Sequence, residues 1–186
     1  MQKIKGAIKM YCKYDNETKK CLEVGTGTNT EFYKSIGMVD MEVEQAYNGE
    51  WYLKGYAPTK PLDELKSEKL NELNTIASRY DSYKCNDMYI TSSVGGYRFN
   101  ADSRSQTNLR GLISVLDDVK SVAYKDYDNE FQSLNKEQIQ IIFSECILNG
   151  QNLYKQKWDY EEKIKTCETI EELNSIEFNF TMMNFS

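Results

Sequence analysis

Over residues 1–57 apolar and polar positions change at short range, as in β-strands. Residues 10–14 and 21–24 flank the polar run Asp15-Asn16-Glu17-Thr18 and predict a hairpin. Gly25-Thr26-Gly27-Thr28 comes next as an expected flexible loop. Its G-x-G is a weak phosphate signal, since no third glycine is present and no βαβ pattern surrounds it. Residues 42–47 and 50–56 bracket Asn48-Gly49, the dipeptide that supplies positive φ at both centres of a type I′ turn. Val43, Tyr47, Trp51 and Tyr56 are the packing groups of this second ribbon, and two strands alone are marginal, so it needs a further element or chain to rest on. Pro58 and Pro61 then disfavour regular structure, which places a linker over 58–61 between a β-rich region 1–57 and the rest of the chain.

Beyond Pro61 the period lengthens. Leu62, Leu65, Lys69, Leu73, Ile76 and Tyr80 step by threes and fours, a heptad-like seam interrupted by Lys69; a short coiled coil and a helix packed on its own domain explain it equally. Residues 88–92 and 97–100 read as two short strands around Val94-Gly95-Gly96. Asp102 or Ser103 caps the next helix, with Gln106 completing a capping box from Ser103. Leu109, Leu112, Ile113 and Leu116 form its apolar face, and Asn108 at the edge is expected to tie the helix to neighbouring backbone. The longest helix is predicted over 136–165, capped by Asn135 and Gln138, with Ile139, Ile142, Phe143, Cys146, Leu153, Trp158 and Ile164 inward. Gly150 in its middle marks a close crossing or a kink. Thr169 and Glu172 open a last short helix carrying Ile170, Leu173 and Ile176. Residues 178–186, with three Phe and two Met, are too apolar to fray and should dock on a surface, a partner's included. The fold class is therefore α+β: a small antiparallel N-terminal region with hairpins, then a mainly helical domain over 62–178 with one short β-hairpin, then an apolar end over 179–186.

Composition narrows the chemistry. Among 186 residues there is no histidine, which excludes Ser-His-Asp and Cys-His catalysis and His-ligated zinc. The net charge is −6, and the 23 Lys and Arg form no basic stripe, which argues against nucleic acid as partner. No apolar run is long enough for a membrane span, and MQKIKGAIKMY lacks the apolar core of a secretory signal. Cys12, Cys21, Cys85, Cys146 and Cys167 are odd in number and show no CxxC. They read as unpaired thiols, although Cys12 and Cys21 could face each other across the first hairpin. The carboxylate neighbours Asp117-Asp118, Glu161-Glu162 and Glu171-Glu172 diverge by about 100° on a helix, which suits solvated faces. Asp126, Asp128 and Glu130 alternate like a calcium loop but lack its glycine and closing glutamate. Ser92-Ser93 has no base within local reach. The expectation is a protein without catalytic, cofactor or metal residues.

The run from Thr91 to Leu109, TSSVGGYRFNADSRSQTNL, resembles a domain of unknown function common in tailed bacteriophages and prophages. The motif is a Gly-aromatic strand holding Tyr97 and Phe99, then a helix start with Asp102, Arg104, Gln106, Asn108 and Leu109 in register. Thr169–Leu173 with Ile176 is similar to the family's end, and residues 51–58 with the helix after them resemble the linker of tail-fibre and tail-fibre-assembly proteins. The likeness spans roughly 42–178. It implies a structural role in the virion tail after synthesis in the bacterial cytoplasm, with other phage tail proteins as partners and no catalytic residues. A tail-fibre assembly chaperone is the alternative, and a small host-takeover factor or enzyme the third. Tyr47, Trp51 and Tyr56 are the interface candidates, since buried aromatics anchor interfaces. The seam and the aromatics lean toward a homo-oligomer, trimeric as fibres often are.

Overall fold

A computed structural model of the chain describes residues 9–81, 88–117 and 119–186. Cys85, Asp118 and residues 1–8 lie outside the described residues. The architecture is α+β, and the chain divides into two compact units, Met1–Pro61 and Leu62–Ser186.

In the first unit β1 (Lys9–Tyr14) pairs antiparallel with β2 (Cys21–Gly27) and with β3 (Val39–Asp40). The polar turn is built by Asp15, whose side chain accepts from the N–H groups of Glu17 (3.1 Å) and Thr18 (2.7 Å), while Lys19 turns the chain at φ +58°. The expected loop at 25–28 is instead mostly strand. Gly25 and Gly27 point to the same face of β2 beneath the ring of Tyr33, where a Cβ would come within 2.7 Å and 3.0 Å of ring atoms. Their glycines make room for an aromatic rather than for flexibility. Tyr33 in turn stacks on buried Tyr11, with centroids 4.3 Å apart and planes at 7°. It rides on α1 (Thr30–Ser35), a short helix the strand-like reading of this region did not include, capped by Asn29, which accepts from Phe32 N–H at 3.1 Å.

The second ribbon pairs β4 (Val43–Gln45) with β5 (Trp51–Leu53) in the register Val43↔Leu53, Gln45↔Trp51. Its turn is not type I′. Among the described residues only Gly49 has positive φ here (+81°), Gly49 N–H donates to Ala46 carbonyl at 3.0 Å, and Ala46 N–H to Glu50 carbonyl at 2.7 Å. This is the three-residue connection, a type I turn closed by a left-handed glycine, which needs one positive φ instead of two. The ribbon rests on the first hairpin: Leu53 joins Cys12 and Cys21 in a buried cluster flanked by Val43 and Trp51, and Leu53 N–H donates to Lys19 carbonyl at 3.0 Å. Cys12 stands opposite Val24 and Cys21 opposite Tyr14, and both are free thiols.

The second unit is built on α2 (Leu62–Asp81), α3 (Ser103–Val115), α4 (Lys136–Thr166) and α5 (Ile170–Asn174). Two hairpins interrupt them: β6 (Tyr89–Thr91) with β7 (Arg98–Asn100), and β8 (Val122–Lys125) with β9 (Phe131–Leu134). The β8–β9 pair exceeds the single hairpin expected, because each of its strands is only four residues long. Its turn repeats the β4–β5 geometry with Asn129 at φ +68°.

The main core joins Leu109 and Leu116, Ile139, Ile142, Cys146 and Leu153 to Ile90 and Phe99 of the β6–β7 hairpin. A second cluster joins Leu73 of α2 to Ile164, Cys167 and Leu173 at the end of α4 and on α5. The α2 seam is thus covered by this chain's own helices. Lys69 fits because its stem lies along the apolar surface, with Nζ 4.8 Å from the Phe178 ring centroid and 3.1 Å from Glu72. The caps of α4 and α5 are full boxes, Asn135 with Gln138 and Thr169 with Glu172. One detail of α4 differs from expectation: Trp158 is exposed. A Cβ placed on Gly150 would meet no neighbouring atom within 4 Å, so of the two roles expected of the glycine, a close crossing does not require it.

Candidate functional site

The strand–turn–helix around residues 91–109 is the best-defined constellation of the second unit. Gly95 (φ +68°) and Gly96 (φ +70°) reverse the chain, Ser92 N–H donates to Tyr97 carbonyl at 2.9 Å, and the Tyr97 ring occupies the space a Gly95 side chain would need. The turn is fastened to α4 by Glu145, 6% exposed. Its Oε1 accepts from Ser93 N–H (3.1 Å) and Ser93 Oγ (2.5 Å), and its Oε2 from the buried Ser92 Oγ, which itself accepts from Val94 N–H at 3.1 Å. The carboxylate Ser92 and Ser93 lack locally therefore comes from 52 residues away. Its bonds are spent on holding a turn, and those bonds offset the cost of taking the carboxylate out of water.

Phe99 and Leu109 are fully buried core residues. Asp102 is the helix cap, accepting from Ser105 N–H at 2.8 Å. With Asp102 in that position Gln106 falls one residue beyond the box, and its Nε2 donates instead to Ala101 carbonyl at 2.9 Å. Arg104 and Asn108 are not buried, so Asn108 is not the buried tie expected of it. Arg98, next to the motif aromatics, pairs with Asp128 (Nε to Oδ2 3.0 Å) and lies over the rings of Tyr89 and Tyr127, joining the two hairpins.

The alternating carboxylates at 126–130 do not converge. Asp126 accepts from Glu130 N–H and Gln132 Nε2, both at 2.9 Å, and Asp128 is committed to Arg98. Asp117 pairs with Lys136, and Glu161 with Lys157 at 3.4 Å. Among the described residues no group of three or more His, Cys, Asp or Glu could hold a metal ion. Burial pushes the Cys146 thiol and the Tyr124 phenol up to about 12, and the Cys12 thiol up to about 11, so these groups stay protonated and unreactive at neutral pH.

A cleft of about 370 Å³ opens between α2, the start of α3 and the middle of α4. Asn74, Tyr80, Gln106, Tyr154 and Lys157 give it a mixed lining, and Gly150 forms part of its wall. Beside it Tyr154 and Trp158 stack at 6.3 Å, with Trp158 58% exposed. In the first unit Tyr47 (45%) and Tyr56 (57%) are exposed, whereas Trp51 is half-buried against the Cys12 cluster. The interface candidates thus separate into two outward rings and one that helps hold its own unit.

Residues 178–186, expected to dock on a surface, dock on their own unit. They run along α4 and beside β6, where Thr91 pairs with Asn184 in a parallel bridge. Glu145 and Asn149 are the buried polar residues the periodicity of α4 did not flag. Both sit in the apolar register Ile142, Cys146, Leu153, and a polar residue in such a register is the signal that could have found them.

The second unit is thus a helical domain with two inserted hairpins, organised around a fastened Ser-Ser-Val-Gly-Gly turn. Residues 64–178 match a family described as a domain of unknown function, DUF4376, and the chain belongs to that family. No curated protein and no solved structure matches the chain. No helix among the described residues is long and apolar enough to cross a membrane.

Proposed function

We propose that the chain is a structural component of a bacteriophage or prophage tail, in a fibre, baseplate or tail tip, and that it works by protein–protein contact rather than by catalysis. The observation that carries the reading is the division of labour among its residues. Phe99, Asp102, Gln106 and Leu109 of the motif, and the Ser92–Ser93–Glu145 cluster, are used to build the fold, while Tyr47, Tyr56, Tyr154 and Trp158 face outward. Outward aromatics offer large contact area at low entropic cost. The resemblance of residues 42–178 to a domain of unknown function common in tailed bacteriophages and prophages supports the setting. In this reading the first unit attaches to a neighbouring tail protein through Tyr47 and Tyr56.

Mass spectrometry of purified particles, from the phage or induced lysogen that encodes the chain, tests it. The chain should appear with the tail proteins at a fixed ratio. Its presence in the infected cell but absence from particles overturns the reading in favour of an assembly chaperone that leaves.

A further inference from the structure

The C-terminal segment is held in an unusual way. Four side chains on one stripe of α4, at 149, 152, 156 and 160, stand about one helical turn apart and grip its backbone. Met183 N–H donates to Asn149 Oδ1 at 2.8 Å. Thr181 carbonyl accepts from Asn152 Nδ2 (3.2 Å) and Gln156 Nε2 (2.9 Å), and Thr181 N–H donates to Gln156 Oε1 at 2.9 Å. Asn179 does the same with the Tyr160 hydroxyl, donating at 2.9 Å and accepting at 3.1 Å. On the other side Thr91 of β6 donates to Met183 carbonyl (3.3 Å) and accepts from Phe185 N–H (2.8 Å). Every second residue is read by its peptide group, and Phe178, Phe180 and Met182 between them turn into the apolar clusters. That is recognition of an extended peptide with alternating apolar side chains, the strand-addition mode with an amide ladder as the second edge.

Three further features bear on how permanently it is held. No residue of 177–186 is fully buried, whereas the core beneath it is. The segment follows α5 through Ser175 and Ile176, and Leu173 of α5 is itself buried against Leu73 and Ile164. Lifting the segment bares the β6 edge and the Phe180 site together, a combination that recruits a matching strand. A second copy of this chain necessarily carries one.

We propose that the groove on α4 and β6 is a binding site for an extended peptide, that residues 177–186 occupy it as a releasable strap, and that it takes the strap of a second copy of this chain. The site is independent of whether the chain serves in a phage tail.

The test uses the full chain with its own strap weakened by Phe180→Ala and Met182→Ala, and a fluorescein-labelled synthetic peptide spanning 177–186. Fluorescence anisotropy should show saturable binding, at least tenfold tighter than to the unaltered chain, whose strap competes in cis. N-methylation of the peptide at Thr181 should weaken it at least tenfold, because the bond from its N–H to Gln156 Oε1 is removed and the methyl group crowds that side chain. No saturable binding to the folded variant, or equal binding by the methylated peptide, overturns the site. Hydrogen exchange on the unaltered chain gives a measurement free of folding defects. The amides of Thr181, Met183 and Phe185 should exchange at least tenfold faster than those of Ile142 and Leu153. Equal protection overturns the releasable strap. For the second copy, light scattering of the unaltered chain at rising concentration should show a dimer that excess peptide dissolves. A monomer throughout, or a dimer indifferent to peptide, overturns the exchange.

Discussion

Glu145→Ala is the perturbation that most directly probes how the family motif is held. The carboxylate accepts three hydrogen bonds from the Ser92–Ser93 turn. Bonds to a charged group contribute about 1.5–3 kcal/mol each, so the gross loss is about 4.5–9 kcal/mol. Two effects reduce it. Ser93 is exposed, so water replaces part of its loss, and removing a buried carboxylate also removes its desolvation cost. Ser92 Oγ is buried and gains nothing in exchange. The net cost should be about 2–3 kcal/mol, with Tm of the second unit lower by roughly 10 °C. Urea unfolding followed by circular dichroism at 222 nm reads this unit selectively, because α2, α3 and α4 lie in it and, among the described residues, the first unit contributes only the six-residue α1. Pairing the change with Ser92→Ala in a double-mutant cycle should give a coupling of about 1 kcal/mol or more. A loss below about 0.5 kcal/mol, or strict additivity with Ser92→Ala, would refute the view that this carboxylate fastens the turn.

Three more outcomes are expected. Gly25→Ala should destabilise the first unit by about 1–3 kcal/mol, since its Cβ would press on Tyr33, while Gly150→Ala should stabilise α4 by about 0.5–1 kcal/mol because nothing lies within 4 Å. Thermal melts of the two variants check the contrast, and a neutral Gly25→Ala would show the Tyr33 stack to be dispensable. Thr169→Ala removes the cap of α5 and should cost about 1 kcal/mol in the same urea assay; no change would mean α5 is held by Leu173 alone. Stability of the second unit should fall as pH rises from about 9 toward about 12. Burial raises the folded pKa of Cys146 and Tyr124, so their stabilisation is complete below the unfolded values and is lost as the unfolded chain deprotonates first. Each group adds a slope of about 1.4 kcal/mol per pH unit in that window, and Cys146→Ala should make the fall shallower in alkaline urea titrations; an unaltered slope would remove Cys146 from the account.

The same residues show where sequence stops being informative. Asn135 with Gln138 and Thr169 with Glu172 declare their helices because each cap is complete within four residues. Asn48-Gly49 declares a hairpin, yet leaves the turn type open, since one positive φ or two can close it. The heptad-like seam of α2 was equally compatible with another chain, and only the folded unit shows α4 and α5 covering Leu73.

By itself the sequence determined the α+β class, the ends of the capped helices, the apolar faces and the absence of histidine chemistry, because these depend on periodicity and on contacts within a turn or two. Tertiary structure alone decided that Gly25 and Gly27 serve a tyrosine, that Glu145 is the partner of Ser92 and Ser93, and that residues 177–186 lie across α4 and β6. The last two pairings join segments tens of residues apart. A buried polar group must find a partner wherever packing brings one, and local pattern does not carry that address.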